Sequence, residues 1–119
     1  MGLDFHFPRR TYDNAPHWSY SGFHRFRARL AEKIALDLEA MRGFGGNRTW
    51  DHVADPIRLL LNHSDCEGEL SAEQCAAIAP RLRELVSDWG DDDFDRYQAL
   101  LLADAMDVCA STGEPLEFC

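Results

Sequence analysis

The chain has 119 residues, of which 45% are hydrophobic and 28% charged, as in a folded single domain rather than a disordered chain. Its 12 basic and 21 acidic side chains give a net charge of −9, which disfavours a general nucleic-acid binder. No apolar stretch approaches the roughly 18 residues that cross a bilayer, and the start of the chain lacks a signal-peptide core. We therefore expect one cytoplasmic domain over residues 1–119 with no membrane contact.

Charge is divided unevenly along the chain. Residues 1–48 hold eight basic and five acidic side chains (+3), whereas residues 49–119 hold four and sixteen (−12). Eleven of the twelve cations are arginine, which forms forked pairs with carboxylates. We therefore expect the arginines of the first helix to pair with acids such as Glu84, Asp88 and those of Asp91–Asp95 rather than to bind RNA.

The N-terminal segment has no helical pattern. Hydrophobic and polar residues alternate over residues 3–7, which predicts a short extended segment that Pro8 ends. Residues 11–20 are predicted to form an ordered loop that lies over the core. The same alternation recurs at Leu116 and Phe118. It allows a minor two-stranded ribbon that joins the chain ends.

The first helix is predicted from Ser21, its N-cap, to Met41, where a run of glycines follows. Its apolar residues recur at spacings of three and four, and so lie on one stripe. They are Phe23, Phe26, Leu30, Ile34, Leu38 and Met41. A short second helix is predicted over residues 57–61, with Asp55 as its cap and Pro56 in its first turn.

The third helix begins with a capping box formed by Ser71 and Gln74, and Pro80 should kink or divide it. A fourth helix opens after Gly90 and stops at Gly113. Its buried side is predicted to comprise Phe94, Tyr97, Leu101, Val108 and Cys109. Four amphipathic helices with short connections predict an all-α domain, a compact bundle of about four helices with an irregular N-terminal segment.

Residues 63–74, between the second and third helices, place oxygen-bearing side chains around Gly68. This stretch resembles the loop of the EF-hand family, a twelve-residue calcium-binding turn between two helices. The resemblance implies a helix–loop–helix unit that binds Ca²⁺ or Mg²⁺. The ligands it implies are Asp65, Glu67, the Glu69 carbonyl, Ser71 and, at the first position, His63.

The two ends of this loop depart from the family pattern. His63 replaces an aspartate, and Gln74 replaces the glutamate that supplies two ligand oxygens. A structural interpretation explains the same residues, because Gly68 can turn the chain, Leu70 can enter the core and Ser71 can cap the next helix. We favour this interpretation, with no cofactor, and keep weak Ca²⁺ or Mg²⁺ binding as the alternative.

A second alternative is a small metal-dependent hydrolase. It would require Asp51, His52, His63 and Asp65 to converge on one metal ion. The sequence contains no nucleophile elbow, no HExxH and no phosphate-binding glycine loop, so we do not predict an enzyme. The cysteines are expected to be free thiols, with Cys75 and Cys109 buried and Cys66 and Cys119 accessible.

The preferred functional hypothesis is therefore a non-enzymatic module that binds an unknown protein partner. Two surfaces are candidates for the contact: exposed aromatic residues near Trp18 and Tyr20, or the acidic second half of the chain. Partner identity and oligomeric state do not follow from the sequence.

Overall fold

A computed structural model describes residues 2–119. The α-helices are α1 (Tyr20–Lys33), α2 (Arg58–Leu61), α3 (Ala72–Val86) and α4 (Phe94–Thr112), with single 3₁₀ turns at Leu38–Ala40 and Trp50–His52. The strands are β1 (Gly2–Leu3), β2 (Phe5–His6), β3 (Trp18–Ser19), β4 (Glu69–Leu70) and β5 (Leu116–Phe118). The prediction of an all-α bundle is therefore wrong, because the chain combines helices with two small antiparallel sheets.

The two sheets contain the segments at both ends of the chain. One consists of β1 and β3, and the other has the order β2–β5–β4. Phe5 lies opposite Phe118, so the chain ends pair, but within a three-stranded sheet that also includes the strand leading into α3. Strands of two or three residues carry too little alternation for a sequence pattern to reveal them.

The core joins this sheet to α1 through a cluster of aromatic side chains. Trp18 is 1% exposed and stacks on Phe26 with ring centroids 4.5 Å apart. Phe5 meets Phe118 edge-on at 5.0 Å. Trp18 is therefore a core residue, and the prediction that it forms part of an exposed contact surface is wrong.

Helix α1 ends at Lys33, eight residues before the predicted end at Met41. The amide of Leu36 donates to the Ala31 carbonyl at 2.9 Å, and that of Ala35 donates to Glu32 at 3.0 Å. This pair of bonds is the Schellman motif, which needs a left-handed residue, and Ala35 takes that place with φ of 57°. Because alanine occupies the position that glycine usually fills, the end of α1 cannot be recognised from the sequence.

Replacing Ala35 by glycine should stabilise the protein. Alanine in the left-handed region carries a steric penalty that glycine lacks, so we expect the free energy of unfolding to rise by about 0.5–1 kcal/mol. Urea denaturation followed by circular dichroism would measure it. The matched control is Ala28→Gly within α1, which should lower the stability instead; a loss in both variants would contradict the strain at residue 35.

Helix α3 begins as predicted. The Ser71 side chain accepts from the Gln74 amide at 3.1 Å, and the Gln74 side chain accepts from the Ser71 amide at 2.9 Å. Pro80 lies inside the helix without dividing it. A proline removes the hydrogen bond to the carbonyl four residues earlier, here that of Ala76, and both residues lie on the exposed side where water can replace it.

Helix α4 has the predicted bounds, with Asp93 as N-cap and Gly113 as a left-handed C-cap. Its buried side agrees with the predicted one only at Cys109. The residues packed inward are Ala99, Leu102, Ala103, Ala105, Met106 and Cys109. The predicted core residues Phe94 and Tyr97 instead point outward. Within residues 2–119, no helix has both the length and the apolar character that a bilayer crossing requires.

Candidate functional site

Three large hydrophobic side chains are exposed within residues 2–119: Tyr12 (98%), Phe94 (60%) and Tyr97 (58%). All three line one cleft of about 790 Å³ between the loop of residues 10–17 and α4. We call it the aromatic cleft. Its lining includes Arg10, Tyr12, Asp13, His17, Phe94 and Tyr97. The exposed aromatic surface of the described chain is thus concentrated in one place.

The loop wall of the aromatic cleft is held by its own hydrogen bonds. The Thr11 amide donates to the Asn14 side chain at 2.7 Å, and the Asn14 amide donates to the Thr11 hydroxyl at 3.2 Å. The Asn14 side-chain amide also donates to the Arg9 carbonyl at 3.1 Å. Tyr12 is therefore presented on a turn that is already ordered, which reduces the entropy that a ligand must remove.

Two bonds attach this loop to α4. The His17 amide donates to Gln98 Oε1 at 2.9 Å, and Trp18 Nε1 donates to Asp95 at 3.1 Å. His17 Nδ1 also lies 2.8 Å from Asp4 Oδ1, an arrangement that can orient an imidazole for proton transfer. In this chain the pair connects the loop to Asp4, which lies between β1 and β2.

The first turn of α4 is fixed from the opposite side by Arg29 of α1. Its guanidinium pairs with Asp93 at 2.7 Å and Asp95 at 2.8 Å, and lies 3.7 Å from the centroid of the Trp89 ring. The hydrogen bond from Arg29 holds the pKa of Asp93 below its ordinary value, although partial burial opposes this. The expected pairing of first-helix arginines with later acids is confirmed for Arg29.

This pairing predicts a loss of stability in acid. The unfolded chain has the ordinary aspartate pKa of 3.8, so below that pH it takes up a proton before the folded protein does. The stabilisation is complete above about pH 5 and disappears as pH falls through the lower pKa of folded Asp93. Asp93→Asn should lower the stability at pH 7 by about 0.5–1 kcal/mol and make it less dependent on pH between about 2 and 4.

Urea denaturation at several pH values would measure this slope. The matched control is Asp92→Asn, because Asp92 has no ion pair within residues 2–119 and should leave the slope unchanged. Equal slopes in wild type and Asp93→Asn would contradict the role of the pair.

The EF-hand-like loop is closed by the side chain of His63. Its Nδ1 lies 2.9 Å from the Ser64 carbonyl, and its Nε2 lies 3.0 Å from the Glu69 carbonyl. The ring also stacks on Phe118 at 3.8 Å. The carbonyl that the family resemblance assigns to a cation therefore faces an imidazole nitrogen in this structure. Gly68, with φ of 89°, makes the turn that allows this closure.

The remaining residues of the loop serve the neighbouring elements. Leu70 is buried, and Ser71 caps α3, as the structural interpretation requires. Asp65 is half-buried and Glu67 is exposed. Within residues 2–119, the structure brings no three His, Cys, Asp or Glu side chains together around a possible metal ion. Weak binding of Ca²⁺ or Mg²⁺ by His63 and its neighbours stays a prediction.

Calcium titration monitored by thermal unfolding tests that prediction. On the structural interpretation, millimolar CaCl₂ leaves Tm unchanged in wild type and in Asp65→Asn. A rise in Tm that depends on calcium and is lost in Asp65→Asn, but kept in the distant Asp107→Asn, would establish the metal site.

The four residues of the hydrolase alternative are distributed over different surfaces. Asp51 and His63 line a cavity of about 360 Å³. Asp65 shares a second cavity, of about 520 Å³, with His63, and His52 lines neither of the two. Neither of these two cavities therefore brings all four residues together.

The cysteines lie where the sequence analysis expects them. Cys75 and Cys109 are buried free thiols, whereas Cys66 and Cys119 are exposed. Burial raises the pKa of Cys75 to about 12, so this thiol stays protonated and unreactive at neutral pH.

Two features of the candidate sites did not follow from the sequence: the outward position of the α4 aromatic residues and the burial of Arg27. Arg27 was expected to pair with acids of later helices, but it lies inside the protein. Burial lowers its pKa to about 10, and the nearby charge of Asp65 partly offsets this effect.

In the comparisons with known proteins, no family model, curated sequence or solved structure matches this chain.

Proposed function

We propose that this protein is a non-enzymatic interaction module whose aromatic cleft binds a cationic segment of a partner protein. The observation that carries the proposal is that Tyr12, Phe94 and Tyr97 line one cleft. Exposed aromatic side chains that cluster in this way are typical of binding surfaces, where tyrosine is enriched among the residues that contribute most affinity.

The geometry of the cleft favours a polypeptide ligand. Its loop wall is ordered by the Thr11–Asn14 bonds, and its helix wall is fixed by Arg29, so both walls are formed before a ligand arrives. Aromatic faces bind proline and aliphatic side chains, and they also attract the cations of lysine and arginine. An extended segment that carries both kinds of side chain uses the whole of this surface.

Charge also favours a cationic partner. The protein has a net charge of −9, and Asp4 and Asp13 both lie in the lining of the aromatic cleft. Asp13 is exposed and has no ion pair within residues 2–119, so a basic side chain of the partner can approach it. Arg10 contributes a single opposing charge. The exposed Asp13 and the net negative charge of the protein steer basic segments toward the aromatic surface.

A cytoplasmic location is part of this proposal. Its support is the set of four free thiols, two of them in the core, which is usual for proteins of a reducing compartment.

Peptide phage display tests the proposal directly. The wild-type protein is the target, and the triple variant Tyr12→Ser, Phe94→Ser, Tyr97→Ser serves for counter-selection. We expect the peptides enriched on wild type alone to carry Arg or Lys next to proline or aliphatic residues. Calorimetry with a synthetic copy should then show 1:1 binding that weakens as salt is added.

Two outcomes would overturn the proposal. In one, selection enriches no peptide, or enriches the same peptides on the triple variant. In the other, light scattering shows that the wild-type protein is a dimer and the triple variant a monomer, so that the cleft is filled by a second copy of this chain.

A further inference from the structure

Arg27 is the one charged side chain that the structure buries within residues 2–119, with 4% of it exposed. No carboxylate of the described chain lies within ion-pair distance of its guanidinium. The nearest acidic influence is the charge of Asp65. A buried charge without a counterion is strongly destabilising, so its retention calls for an explanation.

One side of the guanidinium has a structural role. Its Nη1 donates to the carbonyls of Leu61 and His63, at and just beyond the C-terminus of α2. The rings of Phe23 and Phe44 cover the guanidinium, with centroids 4.6 and 5.0 Å from Cζ. These contacts account for Nη1 and for the guanidinium faces, but not for the edge formed by Nε and Nη2.

That remaining edge has no partner. Nε is buried without a hydrogen bond, and Nη2 has no hydrogen-bond acceptor within residues 2–119. Nε has almost no accessible surface, so a ligand can reach Nη2 alone. A charged guanidinium N–H forms its strongest hydrogen bonds with an oxyanion such as a carboxylate or phosphate.

Arg27 contributes to the lining of a cavity of about 520 Å³. The other polar residues of the lining are His24, Asn62, His63, Ser64 and Asp65. The amide of Asn62, the hydroxyl of Ser64 and the imidazole of His24 can each donate a hydrogen bond. Asp65 is the only acid among them, and its charge repels an anion. The cavity thus combines several donors and a cation with one negative charge.

We propose that this cavity binds a small oxyanion, a carboxylate or phosphate group, at Nη2 of Arg27. This site is separate from the aromatic cleft and shares no lining residue with it. The bound anion supplies the counterion that the buried arginine lacks. Asp65 lowers the affinity, because the like charges of the carboxylate and the ligand lie beside the same cavity.

The experiment follows the Nε–H signal of Arg27 in ¹H–¹⁵N spectra, with calorimetry in parallel, at low ionic strength. Sodium phosphate and sodium acetate are titrated separately, so that the two oxyanion classes are distinguished. We expect saturable shifts of the Arg27 signal with at least one anion at millimolar concentration. Asp65→Asn should tighten binding by about fivefold, since it removes one like charge.

The matched control is Asp92→Asn, which makes the same charge change outside the cavity lining. It should alter the affinity by less than about twofold, because solvent and salt screen an exposed charge that lies far from the ligand. Arg27→Lys keeps the charge but lacks Nη2, and should abolish the saturable binding. The proposal fails if neither anion moves the Arg27 signal, or if both aspartate variants tighten binding equally. If Arg27→Lys does not fold, the comparison of Asp65→Asn with Asp92→Asn still tests the proposal.

Discussion

Replacing Trp18 by alanine is expected to lower the free energy of unfolding by about 3–5 kcal/mol, a large part of the stability of a domain of this size. The indole is buried, stacks on Phe26 and donates its N–H to Asp95 at 3.1 Å. Removing it leaves a cavity between α1 and the β1–β3 sheet and breaks a bond to α4. Urea denaturation followed by far-ultraviolet circular dichroism measures the loss.

Tyr12→Ala is the control for this prediction, because Tyr12 is almost fully exposed and its removal should change the stability by less than about 0.5 kcal/mol. Trp18→Phe keeps the ring packing and loses the bond to Asp95, so an intermediate loss is expected. A Trp18→Ala protein as stable as Tyr12→Ala would show that Trp18 lies at the surface and that the arrangement of the core is wrong.

The opposite pattern is expected for the aromatic residues of α4. Phe94→Ser and Tyr97→Ser should leave the free energy of unfolding within about 0.5 kcal/mol of wild type, because both side chains are exposed. Each should weaken binding of the peptide selected by display by about tenfold or more, the effect of removing a central aromatic contact. Calorimetry and urea denaturation on the same variants separate binding from stability.

Tyr97→Phe is the conservative control, since it retains the ring that forms the cleft wall. We expect its affinity for the peptide to lie within about threefold of that of wild type, because losing one exposed hydroxyl group removes at most one weak hydrogen bond. If Tyr97→Ser binds the peptide as well as wild type does, α4 is not the helix wall of the binding site.

The starts of α3 and α4 and the end of α4 could be predicted because their signals are local. Ser71 and Gln74 satisfy each other's backbone amides within a single turn, and Gly113 provides the left-handed C-cap of α4. These interactions depend on residues close in sequence, so the pattern alone identifies them. The end of α1 is also local, but Ala35 occupies its left-handed position and conceals it.

The sheets could not be predicted from the sequence, because their bonds join distant segments. Phe5 pairs with Phe118 across almost the whole chain, and Leu70 pairs with Leu116. A strand of two residues has no period of its own to detect. The alternation near both chain ends indicated that they could pair, but it carried no information about β4 as the third strand or about the β1–β3 sheet.

The aromatic cleft could not be predicted because α4 is apolar on two sides. Its aromatic side, with Phe94 and Tyr97, has the larger hydrophobic side chains, so a helical pattern assigns it to the core. The structure instead packs the side with Ala99, Ala103 and Ala105 against the core, where small side chains allow close approach to α3. These alanines, spaced along the helix, were the signal that could have identified the buried side.

Chemical-shift mapping of ¹⁵N-labelled protein with the display-selected cationic peptide tests the central proposal most directly. We predict that the largest changes fall on Tyr12, Phe94, Tyr97 and Gln98, with smaller ones along residues 10–17. Changes confined to another surface, or no peptide-dependent change at all, would contradict the aromatic cleft as the binding site of this protein.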